Sequence, residues 1–263
     1  MNGQLALLIL TLFITCILAF GIAAISWQRR HVGIWASPFA LLSLAAAWWT
    51  IFYTFELLSA SLARKSVWAQ VEYIAIVSMP VLWFLFAMAY TGRQKWLSRF
   101  RILLLFIIPL ITLLLVFTNA SHHLIWADVV LNVSGIFPIF APSYGAWFWL
   151  HSGYSYLLLL CGTLALIQAA IRFPQTYRWQ NIALITGALI PWLANVVYLL
   201  DFGGIFSVDL SPVAFVLSGV VLAWSIFRIQ LFDMVPVARR VVVDSLQGGM
   251  IVLAAKSRIL DMN

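Results

Sequence analysis

Seven stretches of this 263-residue chain are each long and apolar enough to cross a lipid bilayer, and nearly all of its basic residues fall in every second connection between them. A hydrocarbon core of roughly 30 Å takes about 20 apolar residues in a helix. Inside that core only structures that satisfy every backbone polar group are viable. The chain is therefore expected to be an all-α integral membrane protein, a seven-transmembrane helix bundle. Its crossings are read near Leu5 to Trp27, Val32 to Leu58, Val67 to Tyr90, Ile102 to Thr118, Tyr144 to Ile171, Asn181 to Leu200 and Leu210 to Phe227. Composition agrees, with 64% hydrophobic and 9% charged residues, where soluble domains carry roughly 25% charged residues.

The distribution of charge sets the orientation. Arg29 and Arg30 follow the first crossing, Arg93, Lys95, Arg99 and Arg101 the third, Arg172 and Arg178 the fifth, and Arg228, Arg239 and Arg240 the seventh. The opposite connections hold only Arg64 and Lys65. Basic loops stay in the cytoplasm, so the N-terminus is expected outside and the C-terminus in the cytoplasm of a multi-pass protein of the plasma (inner) membrane. The first crossing lacks the basic n-region of a cleaved signal peptide and is read as a retained helix. The net charge of +7 lies in short clusters at helix ends, which suits membrane lipid headgroups rather than nucleic acid. Cys16 and Cys161 fall inside apolar spans and read as small hydrophobes, with no disulfide or metal site implied.

Between the fourth and fifth crossings, Leu124 to Leu131 and Ile136 to Phe140 flank Asn132-Val133-Ser134-Gly135. Two β-prone runs around a Gly-containing turn predict an extracellular β-hairpin between helices 4 and 5, lying over the outer mouth of the bundle. Near the C-terminus, Met250 to Ala254 and Arg258 to Met262 flank Lys256-Ser257 and read as the first hairpin of a cytoplasmic domain. Two strands alone are only marginally stable in water. The chain is thus read as the membrane part of a longer protein.

Ionisable groups within the bilayer cost roughly 2.5–3.5 kcal/mol at a helix centre and mark functional sites by default. Glu56 near the outer end of crossing two and Glu72 one turn inside crossing three are expected at similar depth. Two readings stand: both acids face an interior pocket, or they are hydrated near the surface or paired with Arg64 or Lys65. Tyr73, His151, Asn195 and Asp209 share the outer half of the bundle with them. Together these six residues form the candidate ligand-binding set under the hairpin. Each also has a plain role, such as a core His, an interhelical Asn or, for Asp209, an N-cap before Pro212. Pro80 and Pro191 are expected to kink helices three and six.

The residues also resemble a known family. Val71-Glu72-Tyr73 with Pro80, Tyr90-Thr91-Gly92, the run Thr118 to His123, Trp147-Phe148-Trp149, Pro191 with Asn195, Asp209-Leu210-Ser211-Pro212 and the run Phe232 to Ala238 are similar, in order and spacing, to the N-terminal seven-helix sensor region of bacterial histidine kinases. The run from Ser245 to Asn263 resembles the opening of a PAS domain, with Ala254 where an Asp is usual and Ser257 where a Gly is usual. The resemblance implies a sensor domain over 1–232, a juxtamembrane connector over 233–244 and the start of a cytoplasmic PAS domain over 245–263. It further implies kinase output domains, a response regulator reached through the full-length protein, and a homodimer.

The leading reading is a receptor of a two-component system. A small extracellular ligand biases the bundle, and helix seven passes the change through Arg228, Asp233 and Pro236 to the output. A diguanylate cyclase in place of the kinase is the alternative output, and a small-molecule transporter the alternative of another class. No residue of the chain is expected to be catalytic, and no cofactor or metal is called for. His122, His123 and Asp128 are the one loop cluster that could bind a metal. A retinal protein is set aside because Lys65, Lys95 and Lys256 all lie away from mid-helix.

Overall fold

The computed structural model describes residues 3–31, 33–133, 138–172, 183, 185–187, 189–191, 193–194, 210–228, 251–253 and 259–262. Helix α1 (Gly3–Gln28) is apolar all round and presents Leu7, Phe13 and Ile17 outward, as a lipid-facing helix should. It packs on α2 (Ala36–Leu58), whose buried side is rich in small residues: Ala36, Ala40, Ser43, Ala46 and Ala47. Small side chains let helix backbones approach closely, which supplies the dispersion contact that replaces a hydrophobic driving force in lipid.

Helix α3 (Leu62–Tyr90) is the most buried of the described spans, held between α2, the helix over Ile107–Phe117 and the helix over Ala146–Arg172. It begins five residues before the expected Val67. The reason is local: Ser61 is extended and its side chain accepts from the Arg64 backbone N–H at 3.4 Å, an N-cap that carries polar Arg64-Lys65-Ser66 into the first helical turns. Trp48 Nε1 donates to the Val71 carbonyl at 3.0 Å, fixing α2 against α3.

The expected single fourth crossing is broken at Phe106 into α4 (Arg99–Leu105) and α5 (Ile107–Phe117). Pro109 explains the break, since it has no N–H for the Leu105 carbonyl four residues back. That carbonyl instead accepts from the Tyr154 hydroxyl at 2.6 Å. Tyr154 belongs to α7 (Ala146–Arg172), so the proline also supplies an interhelical tie. At the far end of these helices Arg93 donates to Gln168 Oε1 at 2.7 Å. Gly162 of α7 lies so close to Trp83 of α3 that a Cβ there would stand 2.9 Å from the ring.

Between α5 and α7 a four-residue helix, α6 (Asn119–His122), leads into the hairpin of β1 (Trp126–Asn132) and β2 (Ile139–Tyr144). The strands are antiparallel, with Val129 opposite Pro142 and Leu131 opposite Phe140. The second strand thus lies further along the chain than the expected Ile136 to Phe140. Pro142 conceals it in the sequence, because proline is excluded from central strands but tolerated in a ribbon whose outer edges are unpaired. Buried Asn119 locks the entry: its Oδ1 accepts from the backbone N–H groups of Ile125 and Trp126 at 3.0 and 3.1 Å, while its Nδ2 donates to the Trp126 carbonyl at 3.0 Å.

The described residues between 183 and 194 are helical. The last long helix, α8 (Ser211–Arg228), packs on α1 and α2. Near the C-terminus β3 (Ile251–Leu253) pairs antiparallel with β4 (Ile259–Met262). Among the described residues α1, α2, α3, the α4–α5 pair and α7 are long and apolar enough to cross a membrane, and α8 carries a shorter apolar stretch. The connector at 233–244 lies outside the described residues.

Candidate functional site

The tight connection between α2 and α3 brings Lys65 against Glu56. Its Nζ donates to the Glu56 carbonyl at 2.7 Å and to Glu56 Oε1 at 3.0 Å, with side chains 0% and 5% exposed. Lys65 is therefore the buried partner of Glu56, one of the pairings that the sequence left open for the two acids. Removing two charges from water is costly, and close pairing with a further hydrogen bond to the carbonyl is the geometry that offsets that cost.

Glu72 is also buried. Because α3 starts early, it lies ten residues beyond Leu62 rather than one turn in. It is about 10 Å along the axis from Lys65, at a rise of about 1.5 Å per residue. The two acids therefore do not share one depth, which corrects that expectation. Glu56 is level with Lys65, and Glu72 lies beside Val71, the residue that meets Trp48.

The hairpin closes over this region through aromatic contacts. Tyr73 meets Trp126 edge to face, with ring centres 5.6 Å apart and planes at 85°, and Trp126 meets Phe140 in the same way at 5.4 Å. Such pairs contribute about 0.5–1.5 kcal/mol beyond the area they bury. Ile125, Trp126, Val116, Ala69, Tyr73 and Val77 form one apolar cluster that fastens the hairpin to α3 and α5. At the start of α7, Tyr144 stacks on Phe148 at 3.7 Å.

His151 is buried on α7 and is held through both ring nitrogens, by Thr112 at 3.4 Å and Ser155 at 3.3 Å. Thr112 Oγ1 in turn accepts from Trp147 Nε1 at 3.0 Å. The ring is thus oriented by neighbours on two helices.

Under the hairpin these elements enclose a cavity of about 190 Å³. Its wall includes Glu56, Glu72, Tyr73 and His151, so four of the six candidate residues meet at one place. Asn195 and Asp209 lie outside the described residues, as do Asp233 and Pro236, while Arg228 is the last residue of α8. The wall also holds residues that sequence reasoning did not assign to a site: Trp49, Tyr53, Tyr156, Pro80, Pro191 and Phe215. The two prolines were singled out in the sequence as helix interrupters, not as site residues. The aromatics gave no signal, because rings near helix ends also suit the interfacial belt.

Pro191 has a second effect. Its missing N–H leaves the Gly187 carbonyl without its helical donor, and the Ser218 hydroxyl of α8 donates to that carbonyl at 2.5 Å. The wall of the cavity is thereby tied to the last helix.

Outside the cavity, His122 Nδ1 accepts from the Leu124 N–H at 3.0 Å and its Nε2 lies 3.1 Å from Thr118 Oγ1. Its role is to shape the turn into β1. Among the described residues no three His, Cys, Asp or Glu side chains are grouped to hold a metal ion.

The family model described as "N-terminal 7TM region of histidine kinase" matches residues 11–236. No curated protein matches the chain. With long apolar helices, buried charges paired inside the bundle and a match over most of its length, this multi-pass membrane protein belongs to the family of N-terminal 7TM regions of histidine kinases.

Proposed function

We propose that the chain is the receptor half of a sensor histidine kinase, and that a small extracellular ligand enters the cavity beneath the hairpin. Residues 1–232 form the seven-helix sensor with its N-terminus outside, 233–244 a juxtamembrane connector, and 245–263 the start of a cytoplasmic PAS domain. Kinase and response regulator lie further along the pathway, and the full-length protein works as a homodimer. The orientation rests on the basic clusters at Arg29–Arg30 and Arg93–Arg101, which share the end of the bundle opposite the hairpin.

One observation carries the reading. The cavity that holds Glu56, Glu72, Tyr73 and His151 is also walled by Phe215 of the last helix and by Pro191, whose missing N–H leaves the Gly187 carbonyl to accept from Ser218 of that same helix. A ligand that fits one packing of these helices better than another shifts the population between them. The shift travels along α8 through Arg228 to Asp233 and Pro236. Asn195 and Asp209 complete the ligand set in this proposal.

The test is a thermal-shift screen of small molecules on the purified protein, repeated on Ser152→Trp, which fills the cavity from α7. A true ligand is expected to lose at least tenfold in affinity. Hits that bind wild type and Ser152→Trp equally place the site elsewhere and end this reading.

The tie to the last helix has its own expected result. Ser218→Ala leaves a buried carbonyl without its donor and is expected to cost about 1–3 kcal/mol in thermal stability. In a Pro191→Ala background, where an N–H is restored for Gly187, the same change is expected to cost less. Equal costs in the two backgrounds rule out the proline as the origin of the tie.

A further inference from the structure

We infer that Met79 and Phe215 form the floor of the cavity and set the length of the ligand it accepts; this rests on the receptor reading above and names the residues that select the ligand by size. The first argument is position. Beside the cavity of about 190 Å³ lies a second, much smaller void of about 10 Å³, and Met79 and Phe215 border both. The order along three helices shows how the two spaces are arranged. On α2 the cavity takes Trp49, Tyr53 and Glu56, while the void begins at Ala46 and runs back to Phe39. On α3 the cavity ends at Met79 and Pro80, while the void continues to Trp83; on α8 it continues from Phe215 to Leu222. The void is therefore stacked beneath the cavity, on the side away from the hairpin.

The second argument is what separates them. The Phe215 ring meets the Trp49 ring with centres 6.1 Å apart and planes at 46°, and Met79 is buried on the α3 side. Because the same two side chains face both spaces, the partition is one layer of side chains and not backbone. A substitution can therefore cut it back without moving a helix, and the depth of the cavity is a property of these two residues.

The third argument is the character of the void. Its wall includes Ala19, Ser43, Ala46 and Gly219, small residues that leave space between α1, α2 and α8. Its two hydroxyls are spent on backbone: Ser43 donates to the Phe39 carbonyl at 2.9 Å and Ser218 to the Gly187 carbonyl. The Trp83 N–H lies toward Gly162 of α7, a helix that adds no described residue to this wall. A buried water needs several polar partners, whereas empty cavities are apolar, so the void suits the hydrocarbon end of a molecule better than water. At about 10 Å³ it is too small for an organic group by itself. With the Phe215 ring removed it becomes the lower end of one longer cavity.

The experiment uses purified protein in lipid nanodiscs, titrated with the straight-chain alcohols from 1-butanol to 1-decanol, with Ser152→Trp protein in the same discs as the measure of uptake by lipid. Each methylene buried in the cavity raises affinity by roughly fourfold, and in wild type this gain is expected to stop at one chain length. Phe215→Ala should move that limit to longer alcohols by about two carbons, a gain of at least about tenfold for those members. Met79→Ala should move it the same way from the α3 side, and Phe215→Leu, a smaller cut, keeps the test if the alanine variants do not fold. Leu42→Ala enlarges the void with the floor in place and should leave the limit where it is. If the limit stays fixed in the Phe215 and Met79 variants while Ser152→Trp abolishes binding, or if Leu42→Ala alone moves it, the floor assignment falls and the receptor cavity stands. If no alcohol binds wild type above the Ser152→Trp level, the floor assignment falls as well. If saturable binding persists in full in Ser152→Trp, the receptor cavity itself is lost.

Discussion

Lys65→Met is expected to destabilise the protein by about 3–5 kcal/mol, because it leaves the Glu56 carboxylate buried without its ammonium. For a chain of this size that corresponds to a fall of roughly 10 °C in the thermal midpoint. The cause is the asymmetry between breaking a buried pair and replacing it. With one partner gone, the other keeps its desolvation cost and loses the attraction that offset it. With both replaced by apolar groups of similar volume, little is lost. The double variant Glu56→Met/Lys65→Met should therefore recover most of the wild-type midpoint. The neighbouring Arg64 is exposed, and Arg64→Met is expected to stay within about 0.5 kcal/mol of wild type. A Lys65→Met protein as stable as wild type would mean that the pair contributes nothing and that Glu56 is satisfied by other means. The same pair bears on topology: with Lys65 neutralised by Glu56, the connection between α2 and α3 presents only the Arg64 charge, which sharpens the asymmetry between the two ends of the bundle.

The membrane helices were legible because a run of about 20 apolar residues leaves the backbone few alternatives in lipid. Their inner faces were not. In α1 and α2 apolar residues occupy every side, so no period separates the face that meets another helix from the face that meets lipid. Trp49 and Tyr53 are buried in the cavity wall, while Leu41 and Leu44 of the same helix are exposed. Nothing in their residue types distinguishes the two groups. The charges were legible as positions, and pairing of an acid with Arg64 or Lys65 as one alternative, but not which of the two cations turns inward. Arg64 and Lys65 are adjacent, yet one faces out and the other inward, and this follows from the Ser61 cap that sets the phase of α3. The prolines illustrate a third limit. A sequence shows that Pro109 and Pro191 vacate the carbonyls of Leu105 and Gly187. Only the packing shows that Tyr154 and Ser218 fill them. Of the candidate ligand set, Glu56, Glu72, Tyr73 and His151 came together because rare polar residues in lipid have few places to go other than the bundle interior.

Gly145→Ala is expected to open the cavity from its hairpin side at a cost of about 3 kcal/mol, the range seen when backbone must move to admit a methyl group. Gly145 joins β2 to α7, and a Cβ at this position would stand 2.4 Å from the Leu124 carbonyl oxygen and 2.6 Å from that of His123. Both neighbours are backbone, so no side chain can swing aside. The joint is closed by the Gly145 N–H donating to the Ile125 carbonyl at 2.8 Å and the Trp147 N–H to the Leu124 carbonyl at 3.0 Å. Pushing the strands apart weakens both bonds and lifts Ile139, Phe140, Pro142 and Tyr144 away from the cavity they wall. Amide hydrogen exchange across 126–144 is expected to accelerate strongly, and ligand affinity to fall with it. Gly153 supplies the control: it lies within α7, and a Cβ added there would meet nothing within 4 Å, so Gly153→Ala should be neutral or stabilising by up to about 1 kcal/mol through helix propensity. If Gly145→Ala and Gly153→Ala show the same midpoint and the same exchange as wild type, the hairpin is not held by this joint, and the cavity does not depend on it for closure.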